Sequence, residues 1–152
     1  MNDKSKAPNF LGLIDENNQI SLSDYKGSFL VLYFYPKDKT SGCTIQSQDF
    51  RDYKKKFANK NCKIIGISRD SIKSHKSFTE KESLNFPLIS DPDETMCNAY
   101  GVMKEKSMYG RKYMGIERST FVIDPEGNLI KEWRGVKVPG HVEEVYNFIC
   151  EL

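Results

Sequence analysis

Cys43 is the residue of this chain whose type and position most clearly suggest chemistry. The apolar run of residues 29–35 predicts a strand buried on both faces, and Pro36 ends it because proline cannot donate to a strand ladder. After Cys43, apolar residues recur roughly as one helix face, at Ile45, Phe50, Tyr53 and Phe57. Cys43 is therefore expected at a helix N-terminus, where free N–H groups and the helix dipole stabilise a thiolate, the nucleophilic form of cysteine.

Thr40 lies shortly before Cys43 in the predicted loop. If this loop coils into the helix start, the hydroxyl and the sulfur share one face, and the hydroxyl can donate to the thiolate or to the molecule it attacks. Taken alone, Thr40 could equally be a helix cap or turn residue, and Pro36 a simple strand terminator. The position of Cys43 is what favours a functional interpretation of both.

The other three cysteines are predicted to be structural. Cys62, Cys97 and Cys150 form no C-x-x-C pair and no zinc-ligand spacing with Cys43. This pattern indicates reduced thiols rather than a disulfide framework, with each of the three serving as a small buried hydrophobic residue. No residues have the spacing of a metal site, and no organic cofactor is indicated.

Strands and helices alternate through the first two thirds of the chain, and a hairpin and a helix follow. This order predicts a mixed α/β sheet covered by helices on both sides. Besides the strand and helix around Cys43, the pattern predicts a hairpin of 9–14 and 19–22, a strand at 63–68, a helix capped by Asp70 and Ser71, and a short strand at 86–89. The second half of the chain is predicted to contain a helix between Asp91 and Gly101, a loop at 102–117 and a hairpin of 120–123 and 129–133. A last helix is predicted with Val142, Val145, Ile149 and Leu152 on its apolar face.

Composition excludes several function classes. The 152 residues suit one domain, and a net charge of +2 argues against nucleic acid or a membrane surface as a partner. The polar N-terminus lacks the apolar core of a signal peptide, and no segment has the apolar length of a membrane span, so a cytoplasmic location is expected. The two histidines, His75 and His141, are expected to be solvated rather than to act as bases.

Several segments together resemble the peroxiredoxins, and most closely their Q-type branch, the bacterioferritin comigratory proteins. The signature is carried by Pro36, Thr40 and Gly42-Cys43. Segments 66–68, 85–91 and 113–124 agree with the same branch, so the resemblance covers nearly the whole chain. It implies one thioredoxin-like domain over residues 1–152, with a mixed central sheet flanked by helices and an N-terminal β-hairpin extension.

The resemblance also implies an activity and a site. A Cys43 thiolate attacks a hydroperoxide and becomes a sulfenic acid, while Thr40 and the backbone N–H groups of Gly42 and Cys43 bind the substrate and Pro36 shields the sulfur. Arg118 would be a surface charge on pattern alone. In the family, the active-site arginine occupies the matching place ahead of the Ser119–Asp124 segment.

The chain departs from the family where a second cysteine would resolve the sulfenic acid. Gln48 and Thr79 occupy the two positions where Q-type members carry that cysteine. One route of recycling is therefore an external thiol, namely thioredoxin, glutaredoxin or glutathione. The other route is an internal disulfide with Cys97 after its helix unwinds. We favour the external thiol, and the resemblance points to a monomer, with a weak dimer as the alternative.

Two other function classes fit the same predicted architecture. A thioredoxin-like disulfide reductase needs two cysteines in C-x-x-C, and the segment 40–43 contains only one. A non-catalytic binding or holdase module is the other alternative. It predicts that Cys43→Ser leaves activity in place.

Overall fold

A computed structural model describes residues 5–152 of the chain. Its elements are β1 (Ser5–Lys6), β2 (Leu11–Leu13), β3 (Gln19–Ser21), a 3-10 turn (Leu22–Tyr25), β4 (Phe29–Phe34), α1 (Ser41–Ala58), β5 (Cys62–Ser68), α2 (Ile72–Glu82), β6 (Leu88–Ser90), α3 (Thr95–Ala99), β7 (Met103–Met108), β8 (Arg111–Ile116), β9 (Ser119–Ile123), β10 (Asn128–Arg134) and α4 (His141–Cys150).

Eight of the strands form one mixed sheet in the order β1-β10-β9-β4-β5-β6-β2-β3. β4 is parallel to β5 and antiparallel to β9, and β5 is parallel to β6. The predicted mixed α/β fold is confirmed. The N-terminal hairpin β2–β3 joins this sheet at its edge through the pairing of Leu13 with Ser90.

The central strand β4 divides the hydrophobic core into two halves. Because successive side chains of a strand point to opposite faces, Leu30, Leu32 and Phe34 pack with the residues of α3. Val31, Tyr33 and the following Tyr35 pack on the other face with apolar residues of α1, α2 and α4. Each of these six side chains is fully buried, as predicted for a strand covered on both sides.

The segment predicted as a loop at 102–117 is instead a two-stranded ribbon, β7–β8, and that prediction is wrong. Tyr109 and Gly110 both have positive φ, 53° and 78°, as the two central residues of a type I′ hairpin turn require. Most side chains of both strands are exposed, so the sequence lacks the apolar alternation that would reveal strands.

The expected burial of Ile45 and of Cys150 is wrong. Ile45 is 51% exposed, because the buried side of α1 is formed by Cys43, Phe50 and Phe57 together with two polar residues, which a search for apolar residues overlooks. Cys150 is exposed, while its neighbour Ile149 takes the buried position.

Both histidines are buried rather than solvated. The His141 Nε2 atom lies 2.8 Å from the Thr120 hydroxyl. Burial lowers the pKa of His141, and the nearby carboxylate of Glu144 offsets only part of that effect.

The last helix packs against the sheet through aromatic rings. The ring of Trp133 on β10 lies 5.5 Å from that of His141 and 5.8 Å from that of Phe148, both on α4, in edge-to-face geometry.

Within residues 5–152, none of the helices combines the length and apolar character needed to cross a bilayer.

Gly66→Ala is expected to destabilise the fold. A Cβ atom at this position would lie 2.7 Å from Leu88 Cδ2 and 2.8 Å from Tyr33 Cζ, and both neighbours are buried. Overpacking of this kind costs about 1–3 kcal/mol. Urea denaturation should report a lower free energy of unfolding, whereas Lys63→Ala, at an exposed position of the same strand, should change it by less than about 0.5 kcal/mol. Equal stability of Gly66→Ala and the unmodified protein would contradict the close packing described here.

Candidate active site

Cys43 lies in the first turn of α1, as the sequence predicts, and its side chain is 1% exposed. Thr40 is the N-cap residue, with extended backbone angles, and its carbonyl accepts the first helical hydrogen bond from Thr44 N–H at 2.8 Å. The N–H groups of Ser41, Gly42 and Cys43 therefore have no carbonyl partner within the helix. They concentrate partial positive charge around the sulfur.

Arg118 reaches the sulfur from the connection between β8 and β9. Its Nη2 atom donates to Cys43 Sγ at 3.3 Å. A Cβ atom on Gly42 would lie 3.3 Å from the same nitrogen, so the glycine lets the guanidinium approach the first turn of α1 closely. A full positive charge thus lies against the sulfur and would stabilise its anionic form.

Gln46 completes this contact and was missed by the sequence analysis. Its Oε1 atom accepts a hydrogen bond from Arg118 Nη1 at 2.5 Å, and its side chain is fully buried. Its Nε2 atom has no hydrogen-bond partner among residues 5–152. The available signal was its place one helical turn after Cys43, on the same side of α1.

Thr40 and Pro36 lie in the loop that leads to α1, and their sequence-based roles stay predictions. The Thr40 hydroxyl donates to the Lys37 carbonyl at 2.8 Å. Because a hydroxyl has one proton, it must rotate before it can donate to the sulfur or to a substrate. Pro36 is half-buried directly after the central strand.

A second cation extends from the β7–β8 ribbon. The aliphatic part of Lys106 crosses Gly115, where a Cβ atom would lie 3.1 Å from Lys106 Cδ. Partial burial and then the charge of Arg118 lower the pKa of Lys106, while a Cys43 anion acts in the opposite direction. The surroundings of the sulfur are therefore positively charged.

The other buried thiols differ chemically from Cys43. Cys97 is fully buried and belongs to the core half on the opposite face of the sheet from Cys43. Burial and then a hydrogen bond with Asp91 raise the pKa of Cys97, and burial raises the pKa of Cys62 to about 12. Both therefore remain protonated thiols, which are poor nucleophiles.

Within residues 5–152, one group of three side chains has the geometry of potential metal ligands: Asp38, Asp70 and His75. Their polar atoms already have partners. His75 contacts Asp38 at 2.7 Å, and an oxygen of Asp70 accepts from the Asp38 N–H and from the Ser68 hydroxyl. A cation would have to displace these hydrogen bonds, so the group is better described as a polar cluster beneath the loop.

Comparison with known proteins identifies the family. The model of the AhpC/TSA family matches residues 4–132. The chain belongs to the AhpC/TSA family. Peroxiredoxin Bcp of Bacillus subtilis, strain 168, is 52% identical over 147 residues, which cover 97% of this chain and 94% of that protein.

Solved structures of AhpC/TSA relatives agree with the fold. A mutant of peroxiredoxin Q from Xylella fastidiosa has a TM-score of 0.92 at 43% identity, covering 99% of this chain and 96% of its own. The bacterioferritin comigratory protein of Xanthomonas campestris, whose alkyl peroxide reduction activity was studied through trapped intermediate and ligand complexes, has a TM-score of 0.89 at 44% identity, covering 93% and 90%. This AhpC/TSA member is accordingly a peroxiredoxin, a thiol-dependent peroxidase that consumes a peroxide and a thiol reductant.

Arg118→Met should slow oxidation of Cys43 by hydrogen peroxide by about 10²–10³-fold, the typical effect of removing one donor that stabilises developing charge. The unbranched methionine keeps much of the side-chain volume but neither charge nor donors. The second-order rate constant should be measured by single-turnover kinetics, with circular dichroism to verify folding. Arg111→Met, at an exposed position of β8, is the matched control and should react like the unmodified protein. A near-normal rate for Arg118→Met would remove this residue from the site.

Proposed function

We propose that Cys43 is the peroxidatic residue of this peroxiredoxin. The observation that supports this most strongly is the contact of its sulfur with Arg118 at the N-terminus of α1. The thiolate attacks one oxygen of a hydroperoxide, so that an S–O bond forms as the O–O bond breaks. The departing oxygen takes up a proton and leaves as water or an alcohol, and Cys43 becomes a sulfenic acid.

The surrounding residues are proposed to act on charge and orientation. Arg118 has a permanent charge and two donor nitrogens directed at the site, which suits it to stabilise both the thiolate and the departing oxygen. The N–H groups of Gly42 and Cys43 bind the substrate oxygens, and the Thr40 hydroxyl joins them after rotation. Pro36 limits access of water to the sulfur.

The proposed substrates are hydrogen peroxide and organic hydroperoxides. The cations near the sulfur, Arg118 and Lys106, favour the negative charge that develops on oxygen when either kind of hydroperoxide is reduced. The alkyl peroxide reduction activity of the Xanthomonas campestris relative supports the organic substrates.

We infer that an external thiol reduces the sulfenic acid, as in one-cysteine peroxiredoxins. Gln48 and Thr79 stand where Q-type relatives carry a resolving cysteine, and Gln48 instead donates to Glu82 on α2 at 2.7 Å. Cys97 lies behind the central sheet, whereas a disulfide requires Cα atoms within about 7 Å of each other. Its buried, protonated thiol adds a second obstacle.

Thioredoxin, glutaredoxin or glutathione is the proposed reductant. Free cysteines at all four positions fit a reducing compartment, which supports a cytoplasmic location. We also propose that residues 1–152 act as one domain and as a monomer, with a weak dimer as the alternative. The sharing of β4 by both core halves supports the single domain.

Cys43→Ser should abolish peroxide consumption coupled to thiol oxidation, because a serine hydroxyl is neither ionised nor a comparable nucleophile at neutral pH. Loss of peroxide can be followed with dithiothreitol and with each proposed reductant in turn. Cys62→Ser is the control, since that thiol is buried in the core outside the described site. Full turnover by Cys43→Ser would overturn the proposed nucleophile.

Intact mass spectrometry should distinguish the two recycling routes. After one equivalent of hydrogen peroxide, an external-thiol enzyme should bear a sulfenic acid on Cys43 that a dimedone trap converts to an adduct. An internal disulfide should instead give a loss of two hydrogens and no adduct. If that loss occurs and disappears in Cys97→Ser, resolution by Cys97 replaces our proposal.

A further inference from the structure

A buried ion pair joins the loop before Cys43 to helix α2. Asp38 lies midway between Pro36 and Thr40, and its side chain is 1% exposed. Its Oδ2 atom lies 2.7 Å from Nδ1 of His75, whose side chain is 3% exposed. Neither residue contributes to the proposed chemistry at the sulfur.

The hydrogen bonds determine where the protons are. His75 Nε2 lies 3.0 Å from the carbonyl oxygen of Ile89, which can only accept. On the other side of the ring, the carboxylate of Asp38 also accepts from the Tyr35 and Ser74 hydroxyls at 2.6 and 2.8 Å. Both ring nitrogens of His75 therefore donate, which makes the ring an imidazolium cation.

The ionised state of Asp38 is consistent with its surroundings. Burial raises the pKa of Asp38, but the hydrogen bond and charge of His75 and the hydroxyls of Tyr35 and Ser74 outweigh burial and lower that pKa below its usual value. Breaking a buried pair on one side leaves an uncompensated charge, which is strongly unfavourable. The loop and α2 are thus held together by a contact that cannot be lost on one side alone without cost.

No other described cation pairs with Asp38. The charged and titratable groups around the pair are Tyr33 from β4, Tyr35 directly after β4, Asp70 from the connection after β5, Lys39 from the loop and Lys76 from α2. The last two point elsewhere: Lys39 Nζ donates to Ser77, and Lys76 Nζ to Glu16. Asp70 also holds the loop, since its carboxylate accepts a hydrogen bond from the backbone N–H of Asp38 at 2.8 Å.

We propose that Asp38 and His75 are positioning residues of the peroxidase site, holding the loop 36–40 in the conformation that keeps Pro36 and Thr40 beside Cys43. This proposal rests on the proposed role of Cys43. It adds that the reactivity of the sulfur depends on the folding of α2, although α2 contributes no group to the chemistry. A small displacement of a positioning loop can have a large effect on rate.

The ion pair also makes the free energy of unfolding depend on pH in the acidic range. Because the pKa of Asp38 is lower in the folded state, its contribution to stability is present above the unfolded-state pKa. That contribution is lost as the pH falls through the lower, folded-state value. Asp38→Asn should therefore flatten the decrease of stability on the acid side, a change that removing a neutral hydrogen bond does not produce.

The test compares Asp38→Asn, His75→Gln and the double variant with Ser74→Ala as matched control. Ser74→Ala removes one hydrogen bond to the same carboxylate but keeps both charges. Single-turnover oxidation of Cys43 by hydrogen peroxide, well below the melting temperature, should slow by about ten- to a hundredfold in each charge variant. The double variant should be no slower than either single variant, since the pair acts as a unit. Ser74→Ala should stay within about threefold of the unmodified protein.

Nitrogen-15 NMR of the histidine rings in the unmodified protein provides an independent measurement, which holds even if a variant fails to fold. Both ring nitrogens of His75 should carry protons in the folded protein, because each of them faces an acceptor oxygen. An unprotonated ring nitrogen, or charge variants that lose stability but oxidise Cys43 at the normal rate, would overturn the proposal. Failure of the proposed role of Cys43 is distinguishable, because Cys43→Ser would then still consume peroxide.

Discussion

The contact between the sulfur of Cys43 and the guanidinium of Arg118 is the interaction on which the site depends. An anion removed from water is unfavourable unless it is paired or hydrogen-bonded, and the side chain of Cys43 is almost fully buried. The guanidinium supplies a charge at 3.3 Å, and the first turn of α1 supplies free N–H groups. Arg118 is itself held by the neutral amide of Gln46, so this partner does not cancel its charge.

The rest of the fold brings these groups together from distant parts of the sequence. The loop and the start of α1 follow the C-terminal end of β4, which is covered on both faces. The neighbouring strand β9 begins directly after Arg118. The same sheet separates Cys43 from Cys97. The sheet thus brings Cys43 together with Arg118 and also separates it from Cys97, the alternative partner for a disulfide.

Much of this arrangement could be predicted from the sequence. Apolar runs and a strand-ending proline located β4, and helical spacing located Cys43 in the first turn of α1. Arg118 could be placed only through resemblance to a family, because its approach to the sulfur is a contact between residues far apart in the chain. Gln46 and the Asp38–His75 pair escaped prediction because buried polar groups carry no hydrophobic signal and find their partners only in the folded state. The ribbon β7–β8 escaped prediction because most of its side chains are exposed.

The packing of α4 has a spectroscopic consequence. Trp133 is the only tryptophan of the sequence, and its indole lies edge-to-face with the imidazole of His141. A protonated imidazole quenches the fluorescence of an adjacent indole, whereas a neutral one does so much less. Since burial lowers the pKa of His141, the emission of the folded protein should remain bright to more acidic pH than for a solvated pair. The protein therefore contains a built-in optical probe of how its last helix docks on the sheet.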